Sequence, residues 1–180
     1  HRKAFGVLFD DRSKIVERNY RRLKTIEAAS PETDALCLSC HVRPKFEPKD
    51  VELEAATLAD GVGCESCHGP AERWLTVHNE SWWKSLSDTD KHERYGMVAT
   101  KDLATRAKIC ADCHLGSPDA EVNHDLIAAG HPRLLFDFSN QQAKQPKHWR
   151  VEDDKARNLD YEVRAWALGQ SVGTKAALNL

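Results

Sequence analysis

The 180-residue chain has one methionine, an even balance of charge, no long apolar run and no convincing strand pattern. Each scarcity excludes something. No apolar stretch approaches the roughly 18 residues that a membrane-spanning helix needs, so no segment is expected to cross a bilayer. Lys and Arg number 26 against 28 Asp and Glu, a net charge of −2, which excludes a general nucleic-acid binder with its basic surplus. No Ser/His/Asp set and no carboxylate pair stands out as a catalytic constellation. The hydrophobic share of 41%, beside 30% charged, is globular but lean. At this length one domain is expected over residues 1–180, with little aliphatic material for its core.

What the chain does have is six cysteines and nine histidines. Every cysteine falls in a CxxCH unit: Cys37-Leu-Ser-Cys40-His41, Cys64-Glu-Ser-Cys67-His68 and Cys110-Ala-Asp-Cys113-His114. Chance would give one such pentapeptide in roughly one chain of a hundred at this composition, and would not give three that use up all the cysteines. CxxCH is the pattern of c-type haem attachment. Two thiols three residues apart share one side of a helical turn, where each can form a thioether to a haem vinyl group. The following His then aims its imidazole at the iron as proximal ligand.

Other uses of the pattern fit poorly. A zinc ribbon also pairs CxxC units, but it needs four ligands, favours tighter spacing between pairs and gives no reason for a His after every pair. A CxxC disulfide closes so short a loop that it staples almost nothing. A thioredoxin-like redox motif occurs once per domain, between a strand and a helix. Haem c is the expected cofactor, three copies of it, held by Cys37, Cys40, Cys64, Cys67, Cys110 and Cys113, with His41, His68 and His114 on the irons.

Three covalent haems supply the apolar bulk that the composition lacks. The expected fold is mainly α, with helices and long loops wrapped around the cofactors. A chain of this length has a radius of gyration of roughly 16 Å, so the haems must lie close together and exchange electrons rapidly. Their propionates, partly offset by the irons, take the net charge to about −5 oxidised and about −8 reduced. A basic partner surface is therefore expected.

Along the chain, Ile15, Tyr20, Leu23 and Ile26 recur at helical spacing, with Asp11 or Ser13 as cap and Pro31 as terminator. Pro31 can in turn open a short helix that carries Cys37. Residues 43–60 are rich in proline and charge and are expected to be surface loop. Gly61-Val62-Gly63 predicts a tight backbone approach before the second motif. Residues 71–77 predict a helix, whereas 80–95 are polar with Trp82 and Trp83 set among them. Thr100 is the expected cap of a helix running through Leu103 and Ala107 into the third motif, with Gly116 beyond its end. Residues 122–129 predict another helix, broken by Gly130 and Pro132. Leu159, Val163, Trp166, Gly169, Gly173 and Ala177 predict a long C-terminal helix, about 159–180, with a small-residue stripe. Irregular spacing between motifs excludes a tandem repeat.

Six histidines remain for the distal sides of the irons: His1, His78, His92, His124, His131 and His148. Met97 allows at most one His/Met haem and reads better as a filler of gaps, so bis-histidine ligation is expected, which lowers the potential. His78 is ten residues beyond His68, about 15 Å along a helix, so the two cannot clamp one iron. His124 and His131, seven apart, share one helix face and are expected to reach separate haems. His92 reads as a solvated surface residue. His148 is open between ligand and packing residue.

The run Gly61-Val-Gly-Cys-Glu-Ser-Cys-His-Gly-Pro70, followed by His78, resembles the third haem segment of a tetrahaem c-type cytochrome family that accepts electrons from hydroxylamine oxidoreductase. His1-Arg-Lys-Ala is similar to that family's Ser-x-His-Ala-Lys-Ala segment, whose His is a distal ligand. The other two motifs then match the family's second and fourth haems, so the resemblance spans roughly residues 1–115. The stretch from Asn123-His124-Asp to Ala-Gly-His131-Pro is more similar to other multihaem cytochromes. The family's first haem motif has no counterpart in the sequence. The resemblance implies that His1 serves the haem on Cys64 and Cys67, that His78 corresponds to the ligand of the missing haem, and that the haem on Cys37 and Cys40 has no protein distal ligand. His124 and His131 are both candidates to fill that last position.

The chain opens on His rather than Met, without the charged and apolar regions of a secretory signal, so any leader is expected to have been removed or excluded. Bacterial thioether attachment takes place outside the cytoplasmic membrane, which predicts a periplasmic or extracellular protein. The leading expectation is a multihaem electron carrier, not an enzyme, working between redox partner proteins. A multihaem oxidoreductase acting on a small nitrogen or oxygen species at an open haem is the alternative. A haem-wired subunit of a larger complex or filament, alongside other multihaem subunits, is another. The motif chemistry makes the first prediction: after acid and solvent extraction, intact mass should exceed the bare chain by three haem units. A smaller increment removes at least one motif from the assignment.

Overall fold

Short polar side chains start most of the helices. Asp34 accepts the Leu36 N–H at 2.8 Å and opens α2 (Ala35–His41), and Ser87 accepts the Asp90 N–H at 3.0 Å at the head of α4 (Asp88–Tyr95). Asp102 accepts the Thr105 N–H at 2.7 Å and opens α5 (Leu103–His114). Asn123 does the same for Leu126 at α6 (His124–Ala128), and Asp137 for Asn140 at α7 (Phe138–Lys144). Each carboxylate, amide or hydroxyl satisfies one N–H that the first turn leaves orphaned. These helices, with α1 (Asp11–Lys24), α3 (Glu65–His68) and α8 (Tyr161–Leu178), are joined by 3₁₀ turns at Gly6–Phe9, Ala71–Arg73 and Ser81–Ser85. The computed structural model describes residues 1, 3–27, 29–42, 58–118, 120–145, 147–148 and 160–179. Among them the fold is mainly α, with a single isolated bridge, Ser117 to Ala120, in place of any strand.

Several expected boundaries moved. Neither Asp11 nor Ser13 caps α1; Asp10 precedes it, and the Ser13 hydroxyl donates backward to the Val7 carbonyl at 2.7 Å. The helix stops at Thr25, in the left-handed region at φ 56°, six residues before Pro31. Ile15, Leu23 and Ile26 are exposed, and the buried positions of α1 are Val16 and Glu17. Thr100 gives up the capping role to Asp102. The predicted helix over 71–77 is a 3₁₀ turn followed by irregular turns. Both α4 and α7 lie where periodicity gave no signal, because a helix of seven or eight residues shows too few turns. Trp83 is buried there, its ring 5.0 Å from that of Tyr95. Gly61 is buried and turns the backbone at φ 62°, and a close backbone approach falls further on, at Gly69. A Cβ on Gly69 would lie 2.8 Å from the Gly96 carbonyl oxygen, whereas one on Gly63 would meet nothing within 4 Å. Most of the loop predicted at 43–60 lies outside the described residues, as do 159 and 180 at the ends of the C-terminal helix.

Among the described residues two small clusters form the packed core. Phe5, Leu8, Leu38, Val42 and Leu58 form one, with Cys37 packed against it. Ala107, Phe138 and Ala165 form the other, with Cys110 packed against it. α8 lies on α5 and α7 through the expected small-residue stripe. A Cβ on Gly169 would come 2.6 Å from Cβ of the fully buried Phe138, so close helix contact, not helix propensity, sets that residue. The stripe is narrower than the pattern implied, since Val163 and Trp166 face outward.

α1 is tied to α2 by a buried ionic cluster. Arg21 Nε donates to Glu17 Oε1 at 2.7 Å while its Nη2 pairs with Asp34, the cap of α2. Glu17 Oε1 also accepts the Ala29 N–H at 3.1 Å. Both carboxylates are nearly inaccessible, so removing the cation strands them. Arg21→Met should therefore cost about 3–5 kcal/mol in denaturant unfolding. A loss below about 1 kcal/mol would mean the pair behaves like an exposed one.

Candidate haem centre

Each CxxCH motif ends a helix, which is how the sequence brings two thiols and an imidazole to one spot. α2 closes on His41, α3 on His68 and α5 on His114. The three ends converge. Cys113 Sγ lies 3.9 Å from the Ser39 carbonyl oxygen, next to Cys40, and the thiols of Cys40 and Cys113 and of Cys67 and Cys110 are near enough to act on each other. Ser66, inside the second motif, donates to the Val42 carbonyl at 3.0 Å, just past the first. No two of the six cysteines are joined in a disulfide. Burial pushes the Cys37 and Cys110 thiols up to about 11 and raises Cys67 as well, which makes them poor redox nucleophiles. Cys40 is lowered to about 7 because Cys113 donates to it, and Cys113 is raised by the same contact.

The imidazoles are oriented by their Nδ1 atoms. His41 Nδ1–H donates to the Ala4 carbonyl at 2.7 Å, His78 Nδ1–H to Leu75 at 2.7 Å and His131 Nδ1–H to Pro132 at 2.7 Å. A carbonyl only accepts, so the proton sits on Nδ1 and the Nε2 lone pair is left for a metal. Thr100 Oγ1 lies 3.4 Å from His68 Nδ1. Burial lowers the pKa of His68, His114 and His131, favouring the neutral form that a ligand requires.

Two histidine pairs stand out. The rings of His1 and His114 have centroids 6.1 Å apart, and those of His68 and His148 are 6.0 Å apart. Two imidazoles bound on opposite sides of one metal at roughly 2 Å would hold their centroids about 6 Å apart. The geometry thus sets His1 beside His114, not beside His68 as the resemblance implied. It gives His68 a neighbour, His148, that the sequence left undecided. Nothing local marks His148, since it lies in a short segment without periodicity and only tertiary structure brings it back to α3.

His131 lies close enough to His41 to feel its charge. Its loop is fastened to α1: Arg12 donates to the Gly130 carbonyl at 3.2 Å, Asn19 to the Ala129 carbonyl at 3.2 Å, and Lys24 pairs with Asp125. Gly130, at φ 116°, makes the turn that presents the ring. His124 is exposed at the first residue of α6, and His92 is exposed on α4 as expected. His78 is half-buried, its ring 5.7 Å from that of Trp74. Met97 is half-buried after α4.

The chemistry of this donor set fits haem. Among the described residues no group of three or more His, Cys, Asp or Glu could close around a bare metal ion, whereas haem brings four nitrogens and asks the protein for two. The indole Nε1 of Trp74, buried beside His68, has no hydrogen-bond partner among the described residues.

Residues 1–69 match a family described as cytochrome c554 and c-prime. The cytochrome c-554 of Nitrosomonas europaea is 29% identical over 128 residues, covering 66% of this chain and 51% of that protein. The chain thus spans about half the length of the curated relative it matches. No solved structure matches the chain. Covalently bound haem of the c type is what this family implies for the motifs, and it is the cytochrome c554 and c-prime family that the chain resembles, with residues 1–69 carrying the direct match.

Proposed function

We propose that this protein is a multihaem electron carrier, holding three c-type haems and passing electrons between redox partner proteins in the periplasm or at the cell exterior. The observation that carries the reading is the convergence of the three helix ends, with Cys113 Sγ 3.9 Å from the Ser39 carbonyl oxygen beside Cys40 and Ser66 donating to the Val42 carbonyl. Attachment points this close leave each haem adjacent to the next. Among the described residues no helix is long and apolar enough to cross a membrane.

The haems would supply one-electron chemistry at iron, with potentials set by axial ligands and surroundings. The chain's own residues do the rest. Cys37 and Cys40, Cys64 and Cys67, and Cys110 and Cys113 fix the positions. His41 with His131, His68 with His148, and His114 with His1 would be the histidines that hold the three irons. The backbone carbonyls of Ala4 and Pro132 hold the His41 and His131 rings in the ligating tautomer, so no ligand need reorganise when charge moves.

His131 also decides between carrier and enzyme. The resemblance implies an open iron at Cys37 and Cys40, but an arm fastened to α1 at three points offers a ligand to close it. A closed iron leaves no coordination site for a small nitrogen or oxygen species.

Two tests follow. The reduced wild-type protein should not bind carbon monoxide, and should reduce neither nitrite nor hydroxylamine at a useful rate. Stoichiometric binding at one haem, unaffected by any histidine substitution, would put the oxidoreductase reading first. Secondly, His1→Ala, His131→Ala and His148→Ala should each turn one low-spin haem high-spin and able to bind carbon monoxide. His92→Ala and His124→Ala should change nothing. An unchanged spectrum in any of the first three, or a new high-spin haem in either control, contradicts the pairing.

A further inference from the structure

Trp74 is buried, 4% exposed, yet its Nε1–H has no hydrogen-bond partner among the described residues. Buried indoles nearly always find an acceptor, since burying the N–H without one forfeits its hydration. The ring is held firmly. Trp74 N–H donates to the Ala71 carbonyl at 3.1 Å, and the Trp74 carbonyl accepts from the His78 N–H at 2.9 Å. Its centroid is 6.2 Å from that of His68 and 5.7 Å from that of His78, edge-on to both. Neither imidazole offers Nδ1 as acceptor: that of His78 gives its proton to Leu75, and that of His68 faces Thr100. The unfilled bond lies beside His68, the histidine of the second motif.

We propose that Trp74 donates its indole N–H to a propionate of the haem carried by Cys64, Cys67 and His68, and thereby acts as a positioning residue for that haem. The inference rests on the haem reading of the second motif. With its four nitrogens engaged on iron, the macrocycle has only its two carboxylates to accept such a bond. A donor on an ionised propionate spreads its negative charge. That favours the reduced, more negative haem, so the bond raises the potential of this haem and lowers the pKa of the propionate.

Two measurements on the haem-loaded protein test this. In the fully reduced, low-spin wild type, one of the five indole N–H protons should show nuclear Overhauser contact to propionate methylenes and slow exchange with solvent. In Trp74→Phe, which keeps a flat apolar ring, that resonance should vanish. One of the macroscopic potentials should then fall and acquire a pH dependence absent from the wild type, with all three haems still attached. Absence of the methylene contact in the wild type overturns the proposal even if the variant fails to fold. So does a Trp74→Phe protein with unshifted potentials. A wild-type peptide spanning Cys64 to His68 that carries no haem mass would instead overturn the haem reading beneath it.

Discussion

The meeting of the ends of α2 and α5, where Cys113 Sγ lies 3.9 Å from the Ser39 carbonyl oxygen, is the constraint on which the rest of the structure depends. Two attachment helices can be brought end to end only if each is anchored elsewhere. α2 is anchored by its cap, Asp34, which is shared with Arg21 of α1. α5 is anchored by α8, whose glycine and alanine face lets it lie against Ala107 and Phe138. The short α3 is drawn in by Ser66 on Val42 and by the close approach of Gly69 to Gly96. Both apolar clusters end on a motif cysteine, Cys37 in one and Cys110 in the other. The protein packs itself around the places where cofactors are attached.

That arrangement explains how a lean composition suffices. Among the described residues the packed apolar side chains form two small clusters. Flat apolar macrocycles, fixed by two thioethers each, would supply the remaining buried surface in the proposed holoprotein. Burial raises the Cys37, Cys67 and Cys110 thiols and lowers the His68, His114 and His131 imidazoles, so before attachment these groups favour their neutral forms.

What could be read from the sequence divides along physical lines. The helical class, the third-motif helix, its Gly116 stop and the long C-terminal helix were legible because periodicity and turn chemistry are local. Short helices such as α4 and α7 were not, and their real caps, Ser87 and Asp137, are single polar residues among many. The burial of α1 was misjudged because Ile15, Leu23 and Ile26 suggested the face, whereas the ionic cluster on Glu17 and the contact of Val16 with Gly130 turned the other side inward. The cysteines were legible in full as a pattern. The neighbours of the motif histidines were not: the His1 ring lies 6.1 Å from that of His114, whereas the family likeness implies a role at the second motif, and His148 gave no local sign. Which rings come together is set by tertiary contacts such as Asn19 to Ala129, which no spacing encodes.

The central claim is that three haems lie close enough to act as one electronic unit. Electron paramagnetic resonance of the fully oxidised, haem-loaded protein tests it most directly. Three adjacent low-spin irons should give signals broadened and displaced by magnetic coupling, with little intensity at the positions of isolated haems. Three sharp, independent low-spin signals that integrate to three uncoupled spins would contradict the convergence, and with it the reading of the chain as a carrier.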